Sequence, residues 1–188
     1  EHLGDPDYYD VPVEWLTSKE YGKELAATID MRQSRKSTDV AAGVAPLAES
    51  PDTTHFSVVD ADGNIVATTT TLNFSFGSAI AVTGAGFLLN NEMDDFVSKP
   101  GVPNAYGLLG GEANAIAAGK RPLSSMTPTI VLADGQPWFA TGSPGGSRII
   151  TSVLQMIVHV IDHGMNLAEA VTAPRVHPQW CPEVLQLE

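Results

Sequence analysis

A chain of 188 residues, 43% hydrophobic and 17% charged, has the makeup of one globular domain with a sizeable core and excludes a largely disordered chain. Its net charge of −12, from 22 acidic against 10 basic residues, excludes the basic stripe that holds nucleic acid and disfavours anionic membranes. One cysteine, Cys181, excludes an internal disulfide and has no basic or metal-binding company, so an incidental thiol is expected.

Glu1 to Asp5 is acidic where a signal peptide would be basic, and the ends lack terminal design, so a piece of something larger is expected. Asp5 to Val13 reads as an irregular, Pro-punctuated lead-in. Thr17-Ser18-Lys19-Glu20 has the spacing of a capping box with Thr17 as the cap, opening a helix over about 17–31 that Gly22 weakens. Residues 32–52 have almost no periodic hydrophobicity and collect Ser, Thr, Ala, Gly and Pro, which predicts a linker. That is the clearest boundary, and it divides the chain into 1–52 and 53–188.

From Thr54 the pattern turns to period two. Thr54–Val59 and Ile65–Thr71 flank Asp62-Gly63, and Thr129–Ala133 and Pro137–Thr141 flank Asp134-Gly135, which predicts two hairpins. Ala79–Thr83 and Gly86–Leu89 read as further short strands. A strongly apolar helix follows from about Arg148 to His163, with Gly164 as its stop, and Asn166 to Glu169 opens a short helix that Pro174 ends. The longest apolar run, 149–161, is broken by Thr151, Ser152, Gln155 and His159 and is shorter than the ~20 residues a bilayer needs. Antiparallel strands with helices at their faces make this an α+β chain.

Thr53 stands at the junction between linker and first strand. Were the Asp52–Thr53 bond cut, one residue would carry a hydroxyl nucleophile and an α-amine of pKa about 7.7–8.0, suited to act as its general base. The plainer reading is a Thr-Thr pair opening a strand. Ser143-Pro144-Gly145-Gly146-Ser147-Arg148 lies between strand and helix, where successive glycine amides can receive an oxyanion or simply make a tight turn. No Gly-Lys-Ser/Thr follows, so a nucleotide site is not expected. Asn90-Asn91-Glu92-Met93-Asp94-Asp95 can hold an ammonium group through Glu92 and Asp95, or be a solvated acidic turn; its spacing does not fit a calcium loop. Ser124 and Ser125, after Arg121-Pro122-Leu123, can grip a carboxylate or form an ordinary loop. The glycine-rich stretch 100–111 offers Tyr106 as the aromatic of a lid, or is only a long loop. His159 and His163 have a spacing that could ligate zinc but lack a third ligand, and no histidine forms a triad with a serine.

Four motifs in this order, Thr53-Thr54-His55-Phe56-Ser57-Val58-Val59-Asp60, Leu89 to Phe96, Arg121 to Met126 and Gly142 to Arg148, resemble γ-glutamyltransferase (γ-glutamyl transpeptidase), and the likeness covers nearly the whole chain. The resemblance implies an N-terminal-nucleophile hydrolase, an αββα sandwich made as one precursor that cuts itself before a threonine. Residues 1–52 would be the tail of the large subunit, and 53–188 most of the small one. Thr53 would be the nucleophile, Thr71 its orienting partner, and Gly145 and Gly146 the oxyanion hole. Ser124 and Ser125 would hold the substrate carboxylate, Asn73, Glu92 and Asp95 its α-ammonium, and Tyr106 the lid. The implied substrate is glutathione or another γ-glutamyl compound, with an amino acid, a peptide or water as acceptor. No metal or cofactor is implied, and the location is periplasmic or extracellular. An arginine that pins the substrate carboxylate lies in the family upstream of Glu1, so the chain without the rest of the large subunit is expected to be weakly active or inactive. Alternatives are a poly-γ-glutamate depolymerase, a cephalosporin acylase, or an unprocessed noncatalytic binding fragment.

Overall fold

The computed structural model describes residues 2–35, 53–102, 109–179 and 184–188, in two compact units. The first gathers Glu1–Leu47, Met93–Leu123 and Trp180–Glu183; the second gathers Ala48–Glu92, Ser124–Gln179 and Val184–Glu188. The expected linker 32–52 lies outside the described residues from 36 onward, and so do Asp52, Tyr106 and Cys181.

In the first unit two helices follow the lead-in, α1 (Val13–Leu16) and α2 (Lys19–Ala27). The cap of α2 is Ser18, whose hydroxyl accepts from the Tyr21 amide at 3.0 Å, and not Thr17. Thr17 is already committed to closing α1, donating both its amide (3.0 Å) and its hydroxyl (2.8 Å) to Val13 O. The helix also stops at Ala27, four residues before the expected Met31, where the Thr28 and Ile29 amides turn onto Leu25 O and Ala26 O. A helix that buries none of its own residues lacks the packing that would extend it. The core of this unit is instead Phe96, Val97 and Ala113, packed around the 3₁₀ turn Glu112–Asn114. A Cβ on Gly4 would overlap the Ala113 carbonyl, so only glycine lets the lead-in run this close.

The lead-in is not merely irregular. Asp5 is 4% exposed; one of its carboxyl oxygens accepts from the Arg121 backbone amide (2.9 Å) and Arg121 Nε (3.1 Å), and the other from the Asp7 amide (3.2 Å) and Arg121 Nη2 (2.5 Å). Hydrogen bonds from the Arg121 guanidinium, then from its amide, hold the Asp5 carboxyl far below the usual carboxylate range.

The second unit is built on the two expected hairpins. β1 (Thr53–Val59) pairs antiparallel with β2 (Ile65–Thr71), from Thr53 opposite Thr71 to Val59 opposite Ile65. Asp60 closes the loop by accepting from the Asp62 and Asn64 amides at 2.9 and 2.8 Å. β3 (Thr129–Ala133) and β4 (Gln136–Thr141) meet at Asp134-Gly135, both left-handed (φ 51° and 77°), the pair of angles a two-residue hairpin requires. α3 (Arg148–Ile161) and α4 (Leu167–Thr172) cover this hairpin around Phe139, Val160 and Ala170. Asn166 and Glu169 form a reciprocal capping box on α4, as expected.

Two differences stand out. The expected strands over 79–83 and 86–89 reduce to a single bridge, Ala81 to Leu88, because Gly77, Ala79, Gly84 and Gly86 all take positive φ and turn the chain instead. A third hairpin, β5 (Val176–Gln179) with β6 (Val184–Leu187), was not foreseen. Helices and small antiparallel sheets make the chain α+β. Among the described residues no helix is long and apolar enough to cross a membrane, and no group of three or more His, Cys, Asp or Glu could hold a metal ion.

Candidate active site

Antiparallel register places Thr53 directly across from Thr71, and directly opposed residues put their side chains on the same face. The Thr53 hydroxyl donates to Thr71 Oγ1 at 3.3 Å, and Thr71 Oγ1 also accepts from the Asn73 amide at 2.9 Å. Thr71 is therefore held from behind by the backbone while it faces Thr53. Asn73 is left-handed (φ 74°), a conformation asparagine tolerates better than most, and it is buried. Its Nδ2 donates to Asn91 O (3.2 Å), the Phe74 amide donates to Asn91 Oδ1 (3.0 Å), and the Asn91 amide donates to Leu72 O (3.1 Å). Residues 72–74 are thus zipped to Asn91, which delivers Glu92 one position further on.

His55, two residues beyond Thr53 on the same face of β1, fixes the approach of the glycine turn. Its Nδ1 pairs with Thr69 Oγ1 (2.8 Å) and its Nε2 with Ser57 Oγ (3.2 Å), and burial pushes its pKa below the ordinary histidine value. Gly142, the residue after β4, lies against this ring so closely that a Cβ there would sit well inside 3.0 Å of Nδ1, Cε1 and Cγ. The chain then runs through Ser143 and Pro144 to Gly145 (φ 124°) and Gly146 (φ 58°). Their carbonyls accept from the Arg148 and Ile149 amides at the start of α3, and among the described residues no protein acceptor takes their own N–H groups. Two glycine amides with no protein acceptor among the described residues, just before a helix, suit a developing oxyanion.

The remaining expected residues divide. Glu92 and Asp95 bound one 3₁₀ turn and are half-buried, with the Glu92 amide donating to Asn90 Oδ1 (3.0 Å). Ser124 Oγ accepts from the Met126 amide (3.1 Å), which bends the chain at the serine pair, and Ser125 is half-buried. Asp95 belongs to the first unit; Glu92, Ser124 and Ser125 belong to the second. Tyr106 lies outside the described residues. Sequence reasoning missed the amides of Asn91 and Asn114, the ring of His55 and the Asp5–Arg121 pair. The spacing Thr53-x-His55 on an alternating strand was the one available signal among them.

Two threonine hydroxyls paired across a hairpin, with a glycine turn beside it, form a compact hydroxyl site on an α+β frame. The chain belongs to the gamma-glutamyltranspeptidase family, whose profile matches residues 1–188. It is 57% identical over 188 residues to a glutathione hydrolase proenzyme of Escherichia coli K12, covering all of this chain and 32% of that protein. A crystal structure of a Helicobacter pylori gamma-glutamyltranspeptidase mutant superposes with TM-score 0.69 at 63% identity, over 71% of this chain and 72% of that one. A cephalosporin acylase of Bacillus halodurans superposes with TM-score 0.72 at 26% identity, over 94% of this chain and 29% of that one. The chain spans about a third of the length of the curated relatives it matches.

Proposed function

We propose that this chain is the segment of a longer proenzyme that cuts itself between Asp52 and Thr53 and then transfers or hydrolyses γ-glutamyl groups, within an αββα sandwich completed by the rest of the large subunit. The observation that carries the reading is the Thr53–Thr71 hydroxyl pair at 3.3 Å, braced by the Asn73 amide, in a chain of this family. Thr53 Oγ attacks the γ-amide carbon of glutathione or a similar compound while the freed α-amine takes the hydroxyl proton. The oxygen charge falls on the Gly145 and Gly146 amides, and the amine leaves with a proton. Water or an amino acid or peptide acceptor then takes the glutamyl group from the threonine ester. Ser124 and Ser125 hold the substrate carboxylate, and Asn73, Glu92 and Asp95 its ammonium, with Tyr106 over the site. Export to the periplasm or beyond fits the family.

Intact mass of the full-length protein tests it. Two pieces parting before Thr53 are expected, together with release of p-nitroaniline from a γ-glutamyl anilide, and Thr53→Ala should stay whole and inert. A Thr53→Ala protein that is still cleaved, or still turns over, refutes the reading. Faster turnover of a glutaryl than of a glutamyl amide would favour an acylase, a rival raised by 43% identity over 184 residues to a Pseudomonas protein named acylase ACY 1 proenzyme.

A further inference from the structure

Asn114 has the form of a spacer between two pieces of substrate-binding chain. It is 6% exposed, on the 3₁₀ turn Glu112–Asn114. Its Nδ2 donates to the Asp95 carbonyl at 2.7 Å, and its Oδ1 accepts from the Leu123 amide at 2.9 Å. Asp95 is a proposed ammonium ligand, and Leu123 is the residue that leads into Ser124 and Ser125. One planar amide thus supplies a donor to one segment and an acceptor to the other, a combination Asp lacks when ionised and which Leu, of similar size, lacks altogether.

The spacer is itself held rigidly. Its amide donates to Gly111 O (3.1 Å) and its carbonyl accepts from the amide of buried Val97 (2.9 Å). Lys120 Nζ ties the carbonyls of both neighbours, Ala113 and Ala115, at 2.8 Å each. With its backbone locked and its side chain out of water, the amide cannot trade either bond for a solvent molecule, so losing one leaves a buried polar group unmatched.

We infer that Asn114 is a positioning residue for γ-glutamyl recognition, fixing Asp95 against Leu123, the residue that precedes the two serines. This rests on the reading of the site given above. Asn114→Asp keeps the acceptor for Leu123 and removes the donor to Asp95, so it acts on the ammonium side alone. Asn114→Ala removes both bonds without adding a buried charge.

Steady-state kinetics of the processed full-length enzyme on γ-glutamyl and glutaryl p-nitroanilides test it, since the two differ only in the α-ammonium. For Asn114→Asp the expected result is a fall of about tenfold in the ratio of glutamyl to glutaryl kcat/KM, carried by KM, the size of one ordinary net hydrogen bond. Self-cleavage before Thr53 should proceed as in the wild type, because it uses no bound substrate. For Asn114→Ala the glutaryl substrate should weaken as well. An unchanged ratio in Asn114→Asp overturns the inference, and so does an equal loss on both substrates. If Asn114→Asp does not process, the decision passes to Asn114→Ala: a fall in kcat/KM on both substrates carried by KM supports the inference, and unchanged KM values overturn it. A wild-type enzyme that cleaves neither anilide removes the parent reading instead, and the two failures are told apart by that control.

Discussion

Gly142→Ala is a substitution whose effect the geometry fixes before any catalytic assumption is made. The new methyl carbon would fall inside the His55 ring, so the imidazole has to move, since the alternative is to shift β4. Moving it breaks its bonds to Thr69 and Ser57. Overpacking of this kind is worth about 1–3 kcal/mol, and each of the two hydrogen bonds about 0.5–1.5, which puts the loss of stability at about 2–6 kcal/mol. Because His55 is two residues from Thr53, the displacement also reaches the proposed nucleophile, where a shift of 1 Å would cost on the order of 10² in rate. The assay is a double-mutant cycle on the full-length protein, read as urea midpoints at a common m value and as the rate of self-cleavage. His55→Ala removes the ring, so Gly142→Ala/His55→Ala should be milder than the two single penalties together by about 1–3 kcal/mol. Strict additivity, or a Gly142→Ala protein that unfolds and matures like the wild type, would show that the contact between ring and turn does not govern this site.

Thr71→Val keeps the shape of the side chain and removes the oxygen between Thr53 and the Asn73 amide. About a tenfold to hundredfold fall in both self-cleavage and turnover is expected, equivalent to about 1.4–2.7 kcal/mol of lost orientation, and quantitative time courses of both check it. Asp5 has a depressed folded pKa, so its contribution to stability is complete above the unfolded value of about 3.9 and is lost as pH falls below it. Melting temperature should therefore drop more steeply below pH 4 in the wild type than in Asp5→Asn, and parallel curves would contradict the pairing.

The hairpins could be read from the sequence because alternation and an Asp-Gly turn act within a dozen residues, and the box on α4 because its reciprocal bonds span only three. Once β1 and β2 are paired, Thr53 opposite Thr71 follows from counting. β5 was hidden by Pro178 inside it, and α1 by its length of one turn. Thr17 was misplaced because two adjacent hydroxyl residues both suit a cap and only the unforeseen α1 decides between them. The Asp5–Arg121 pair, 116 residues apart in sequence, and the two-sided amide of Asn114 depend on tertiary closure. No local pattern separates such groups from ordinary surface polar residues.

Asp5 precedes the proposed scission point and Arg121 follows it. After the cut, a bond within one polypeptide becomes a bond between two. Once the peptide link is gone the pair no longer gains from an intramolecular effective concentration, so the contacts of the surrounding fold have to hold its partners in register. The carboxylate is almost wholly enclosed, its side chain 1% exposed, while the Arg121 side chain is 65% exposed, so added salt reaches the pair from the arginine side alone. In the proposed maturation an enclosed acid would thus add one tie between the products where the main chain is severed.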